Sequence, residues 1–200
     1  MKPNMIQHLF LFVPILVTVW FLFTYFWPNL LLSVYKRAIL AKGGDDGGPI
    51  PVNTLYTEPQ AIFADPIHPP ASASKFWTTG VNRDTLLTVG WLDIRKGAQV
   101  LHVPDMDDRY YSVQFTNPLK NTNFAYVGKR TTGTQAGDYL ITGRGWKGAV
   151  PQRLTQIPSP NNAVLVAGRV FVENESDLPT AYNLSTQIQL TPLSEWQSGR

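Results

Sequence analysis

Residues 111–116 read Tyr-Ser-Val-Gln-Phe-Thr, an uninterrupted alternation of apolar and polar side chains. Successive side chains of a strand point to opposite faces, so Tyr111, Val113 and Phe115 share one face, and Ser112, Gln114 and Thr116 the other. A segment of this kind is a half-buried strand with its aromatic side inward. Working outward, Thr85–Ile94, Ala98–Val103, Tyr110–Thr116, Asn123–Gly128, Asp138–Thr142 and Ala163–Glu173 are likewise rich in β-branched and aromatic residues. The run VLVAGRVFV, residues 164–172, is apolar on both faces and belongs in the middle of a sheet. Gly, Asp, Asn and Pro turns separate these strands, and no helical crossover joins them. That combination favours a mainly β fold, an antiparallel β-sandwich, over a parallel sheet. One helix is expected in this part of the chain, from near Pro179 to about Ile188 with Asp177 as its cap, because proline is comfortable in a first turn.

Upstream, Pro59, Pro66, Pro69 and Pro70 keep the chain extended or looped before Lys75. The run GGDDGG at 43–48, followed by Pro49 and Pro51, interrupts any helix and reads as a flexible tether. The predicted division is therefore an anchor and juxtamembrane helix over 1–42, a linker over 43–53 and a β-sandwich domain over 54–200.

Between Pro3 and Tyr35 there is no Asp, Glu, Lys or Arg. As a helix, Leu9 to Trp27 would extend roughly 28 Å, close to the bilayer hydrocarbon thickness of about 30 Å. The sequence thus predicts one transmembrane helix, with Leu9, Phe12, Pro14, Trp20 and Trp27 within the span and Trp20, Tyr25, Trp27, Lys36 and Arg37 as interfacial anchors. A cleaved signal peptide would have an apolar region of roughly 7–15 residues and a small-residue cleavage site, and no such site follows here. Lys36, Arg37 and Lys42 outnumber Lys2, which by the positive-inside rule favours a cytoplasmic domain. A short tail with one lysine before a long apolar run is also how signal anchors that export their C-terminal part begin. The preferred reading is a single-pass protein of the inner (plasma) membrane with a periplasmic domain.

Net charge is +3, too small for a dedicated nucleic-acid binder, so no nucleic-acid partner is expected. From Lys120 to Arg153 the basic residues Lys120, Lys129, Arg130, Arg144, Lys147 and Arg153 face Asp138 alone. Such a stretch can meet an anionic lipid surface or an acidic ligand, although a solvated loop face is the commoner explanation. Absence of cysteine excludes disulfides, thiolate nucleophiles and Cys-ligated metal. His68 and His102 are the only histidines outside the apolar segment, too few for a three-histidine site. Asp105, Asp107 and Asp108 could bind calcium through carboxylates, but an Asp-rich turn is the simpler reading. No metal and no cofactor are expected, and neither G-x-S-x-G nor H-E-x-x-H occurs. The glycines Gly133, Gly137, Gly143, Gly145 and Gly148 flank a predicted strand and lack the GK[ST] that closes a phosphate loop. Trp91, Tyr110, Tyr111, Tyr126 and Trp146 could line a cleft, but at strand spacing most belong to a core.

Three ordered motifs, VNRDTLLTVGWLDI (81–94), VLHVPDMDDRYYSVQF (100–115) and GKRTTGTQAGDYLITGRGW (128–146), precede a closing LPTAYNLSTQIQLTPLSEW (178–196). Over Thr54 to Trp196 the chain resembles the bacterial family called domain of unknown function (DUF) 1254. The resemblance implies an immunoglobulin-like β-sandwich, accompanied in longer relatives by a second β domain, of unknown function (DUF) 1214. A partner of that type, on a separate polypeptide or on a longer form of this chain, is the expected companion, together with the lipid bilayer. The candidate ligand-binding residues are Asn82, Arg83, Asp84, Tyr111 and Arg130. The leading expectation is a membrane-tethered binding or assembly module. The alternative is an enzyme of unassigned reaction, with Arg83, Asp84, Tyr111 and Arg130 meeting in a cleft at one end of the sandwich.

Overall fold

A computed structural model of the protein describes residues 5–41, 49–57 and 84–198, in two compact units that divide after Ala38. Leu9 lies in the first helix, but its side chain, like Asn82 and Arg83 altogether, is outside the described residues.

Helix α1, Met5–Leu40, makes up the described part of the N-terminal unit as far as Ala38 and runs unbroken through Pro14 and Pro28. Within it Phe12, Trp20 and Trp27 are exposed. The hydroxyls of Thr18, Thr24 and Ser33 donate to the carbonyls of Pro14, Trp20 and Asn29 at 2.8, 3.0 and 2.8 Å. These bonds leave the helix surface with fewer unpaired polar groups than its composition implies. By length and composition, Phe12–Leu40 is apolar enough to cross a membrane, and its most apolar 18-residue window has a mean hydropathy of 1.7 with none of that window buried.

The second unit is mainly β and contains two sheets. Its strands are β1 (Leu55–Thr57), β2 (Thr85–Asp93), β3 (Gln99–Val103), β4 (Tyr111–Asn117), β5 (Thr122–Gly128), β6 (Gly137–Thr142), β7 (Thr155–Pro158), β8 (Ala163–Phe171) and β9 (Gln189–Pro192). One sheet has the order β1-β2-β8-β4-β5 and the other β7-β6-β3-β9. Leu86 and Leu92 of β2, Tyr111, Val113 and Phe115 of β4, and Val164, Val166 and Val170 of β8 form one buried cluster with Leu101, Val103 and Ile141 of the opposite sheet. The odd-numbered face of β4 is therefore the inward one, as its alternation predicts. Strand β8 lies between β2 and β4, and its other face buries Leu165, so the doubly apolar run is central. The two-sheet arrangement is compatible with an immunoglobulin-like sandwich.

Three expectations need correction. The sheets are not wholly antiparallel, since β6 and β7 run parallel, with Tyr139 opposite Thr155 and Thr142 opposite Pro158. Residues 143–154 supply the dozen-residue return that a parallel pair needs, without forming a helix. Two short helices, α2 (Leu178–Gln187) and α3 (Leu193–Ser198), replace the single one expected. Asp177 stands at the N-cap of α2 but makes no side-chain cap.

The Asp177 carboxylate goes instead to Arg109, which donates from both terminal nitrogens at 2.5 and 2.7 Å and also reaches the Phe171 carbonyl at 2.8 Å. A bidentate, charge-assisted pair outcompetes one cap bond. Asn174 takes over the cap of the preceding turn, Glu175–Asp177. Within the 43–53 stretch, Ile50 is buried and its N–H donates to the Leu40 carbonyl at 2.7 Å. Asn53, at φ +67°, accepts from the Asp93 N–H and donates to its carbonyl at 2.7 and 3.2 Å. Gly43–Gly48 lie outside the described residues.

Hydrogen bonds from Arg109 hold the Asp177 carboxyl below the usual carboxylate range. A depressed folded-state value means that the stabilisation is complete above the unfolded value of about 3.9 and disappears as pH falls through the lower folded value. Asp177→Asn is expected to cost roughly 2 kcal/mol at neutral pH. Denaturant titrations should find the gap to wild type narrowing once the pH falls below the ordinary carboxylate value of about 3.9.

Candidate functional site

The alternation of β4 sends Tyr111 inward and Ser112 outward, and the next strand leaves space beside them. Ser112 is paired with Gly128 of β5. A Cβ at Gly128 would sit 2.5 Å from the Tyr111 carbonyl oxygen and 2.9 Å from the Ser112 Cα. Only glycine permits that approach. The turn that follows is built on the same residue. Thr131 and Thr132 both donate their N–H to the Gly128 carbonyl at 2.9 Å, and the Thr132 hydroxyl accepts from the Gly128 N–H at 3.1 Å.

A pocket of about 230 Å³ results, lined by Tyr110, Tyr111, Ser112, Tyr126, Gly128 and Arg130, with Thr131 at its side. The Arg130 guanidinium lies 5.5 Å from the centre of the Tyr110 ring, a cation–π contact that leaves its N–H edge available. The Tyr126 hydroxyl accepts from Asn123 at 2.7 Å, and the Asn123 carbonyl accepts from Thr116 at 2.7 Å. Gln114 donates to Thr116 at 3.1 Å, which completes a polar chain along β4 and β5.

Of the predicted site residues, the fold brings Tyr111 and Arg130 to this one pocket. The Tyr111 phenol itself points into the core, where its hydroxyl donates to the Gly133 carbonyl at 3.0 Å. Burial pushes that phenol's pKa up. Asp84 is exposed just before β2, with its carbonyl accepting from the Val172 N–H at 2.8 Å, and β8 separates it from Tyr111. The Asp-rich turn spends its groups locally: Asp105 accepts from the Asp107 N–H at 2.9 Å, and Asp108 pairs with Lys129 at 2.8 Å. Trp91 is buried. Trp146 packs on a second small cluster around Val100 and Leu140.

Sequence reading missed a groove of about 390 Å³ between β1, α2 and β9, beside which Tyr56, Tyr182 and Gln189 stand. At its base the hydroxyls of Thr57, Thr88 and Ser185 close a buried triangle with edges of 2.7, 3.0 and 2.9 Å. Each can donate once and accept once around the ring, which satisfies all three without a charged group. On the outer face of the smaller sheet, His102 Nδ1 meets Asp138 Oδ1 at 2.7 Å as a cross-strand pair.

The sequence model of the family described as protein of unknown function (DUF1254) matches residues 64–192. Among solved structures, the fold is similar to the crystal structure of the VPA0106 protein from Vibrio parahaemolyticus, at 27% identity and a TM-score of 0.58. That likeness covers 74% of this chain and 32% of the other, so the matched region is about a third of the VPA0106 chain. No curated protein matches the sequence.

Packing at Gly128 is directly testable. Gly128→Ala places a methyl group against fixed backbone and is expected to cost about 1–3 kcal/mol. Gly97→Ala, where an added Cβ meets nothing within 4 Å, is the matched control and should stay within about 0.5 kcal/mol of wild type in the same thermal or urea unfolding series.

Proposed function

The chain belongs to the DUF1254 family, and from that premise we propose that it is a membrane-tethered β-sandwich acting as a binding or assembly module, paired with a second β domain of the DUF 1214 type. The observation that carries the tether is the apolar surface of α1, on which Leu16, Trp20, Phe21, Phe26 and Leu30 are each more than half exposed. Lipid is the solvent that such a surface prefers. The domain then faces the periplasm from the inner membrane, in the manner of a signal anchor.

Pairing is supported by the VPA0106 relative, in which the matched fold is accompanied by roughly twice as much further polypeptide. It is also supported by the sheet itself. β5 ends the five-stranded order among the described residues, and beside it stand Tyr126 and Leu119, exposed by 44% and 52%. A free strand edge next to apolar side chains is a template for another β domain.

Binding is better supported than catalysis by the candidate residues. The Tyr111 hydroxyl is committed to Gly133, and Asp84 stands beyond β8 from Arg130. A single cleft uniting Asp84, Tyr111 and Arg130 therefore has little geometric support, and Arg83 lies outside the described residues.

The tether predicts that the intact chain sediments with membranes and is released only by detergent. Appearance in the supernatant without detergent would end that reading. Alkaline phosphatase fused after Arg200 should be active, and an inactive fusion would refute export. Detergent extracts should yield a companion β polypeptide, whereas repeated purification of this chain alone would count against pairing.

A further inference from the structure

We propose that the outer face of the five-stranded sheet around Ser112 is an oxyanion site, in which Arg130 and Arg169 together hold a phosphate group. Arg169 interrupts the apolar run of β8 and is exposed, with the buried Gly168 and Val170 on either side of it facing inward. Its register partner on β4 is Ser112, whose own partner on β5 is Gly128. Directly opposed residues on one face have Cβ atoms roughly 5 Å apart, so the Arg169 stem starts next to the Ser112 hydroxyl. From the other side, Arg130 folds back over Tyr110, two residues before Ser112 and on the same face. Arg130 and Arg169 thus flank one serine from the two sides of β4, Arg130 at the pocket that Tyr110, Ser112 and Gly128 line and Arg169 from the register position next to Ser112.

Charge balance supports an anion there. Arg95 is paired with Asp93, Arg109 with Asp177 and Lys129 with Asp108. Among the described residues, neither Arg130 nor Arg169 has an acidic partner, and the Ser112 hydroxyl has no hydrogen bond. The nearest carboxylate along the turn, Asp108, is already neutralised by Lys129. Two guanidinium forks and a hydroxyl arriving from different directions suit a tetrahedral dianion, whose oxygens point several ways, better than a planar carboxylate. The cavity of about 230 Å³, which Ser112 and Arg130 line and which Arg169 adjoins through its register with Ser112, has room for a phosphate with a small ester substituent. A free phosphate and the phosphomonoester headgroup of a lipid share this chemistry. The site does not depend on the pairing with a second β domain, because every group in it belongs to this chain.

Full-length protein in uncharged detergent micelles, titrated with inorganic phosphate and followed by arginine side-chain NMR, should show saturable one-site binding with a Kd of about 1 mM or tighter. Arg130→Ala and Arg169→Ala should each weaken it at least about tenfold, the loss expected when a charge-assisted pair is removed. Arg130→Lys should also weaken it, because a point charge replaces the fork. Arg153→Ala, an exposed arginine elsewhere, should bind as wild type does. Unchanged melting temperatures certify that the exposed arginine variants are folded. Glycerol 3-phosphate binding at least about tenfold tighter than inorganic phosphate supports the site with a lipid headgroup as its occupant. Equal or weaker binding supports the site with free phosphate as occupant. Absence of saturation, or a response that survives in the Arg130→Ala/Arg169→Ala double variant or falls equally in Arg153→Ala, overturns the proposal.

Discussion

The β unit depends on the double pairing of β8. Its nine residues are matched to β2 along their length, and from the other side to β4 between Leu165 and Val170. A strand flanked on both edges has its backbone groups satisfied, so its side chains can be apolar on both faces without exposing an unpaired carbonyl. Val164, Val166 and Val170 then enter the shared core while Leu165 is buried on the reverse face. Gly168 marks a close approach within this pairing, since a Cβ there would lie 3.0 Å from the Thr88 Cβ. Thr88 in turn holds Thr57 and Ser185, and β8 thereby sets the seat of α2 against β1 and β2.

Much of this was legible because long strands carry their own period. β2, β4 and β8 have enough residues for alternation or for a sustained apolar run to stand out, and their limits fall close to those read from sequence. β1, β7 and β9 have three or four residues each, less than two full alternations. Their pairing is decided by neighbours and leaves no local mark. The parallel return to β7 is equally silent, because 143–154 has turn-forming composition whichever way the chain comes back. Asp177 illustrates a different failure. Local preference placed it at a helix start, correctly, but Arg109, 68 positions away in sequence, decides where its carboxylate points.

The site divides along the same line. Arg130 and Tyr111 could be singled out because they lie in distinctive motifs, yet adjacency in motifs says nothing about side-chain direction. Tyr111 spends its hydroxyl inward, and the outward role passes to Tyr110 and Ser112. Arg169 did carry a signal. One arginine in nine otherwise uncharged strand residues is tolerable only where its head reaches water, so its position already implied an outward face. The hydroxyl triangle had no comparable signal, since threonine and serine occur freely in strands and helices, and only tertiary contact brings residues 57, 88 and 185 together.

The same reasoning about unpaired groups bears on the N-terminal helix. An apolar surface reaching from Phe12 to Val34 corresponds to roughly 34 Å of helix, slightly more than the hydrocarbon thickness of about 30 Å. A modest tilt absorbs a difference of that size. The h-region of a cleaved signal is roughly 7–15 residues, and a longer one gains nothing from continuing. Here the helix persists through Pro28 to Leu40, with Ser33 bonded back to the Asn29 carbonyl and with Lys36 and Arg37 just past the apolar stretch. Continuity through a proline keeps the backbone paired where lipid, unlike water, would offer no replacement partner, and that is what the proposed tether requires.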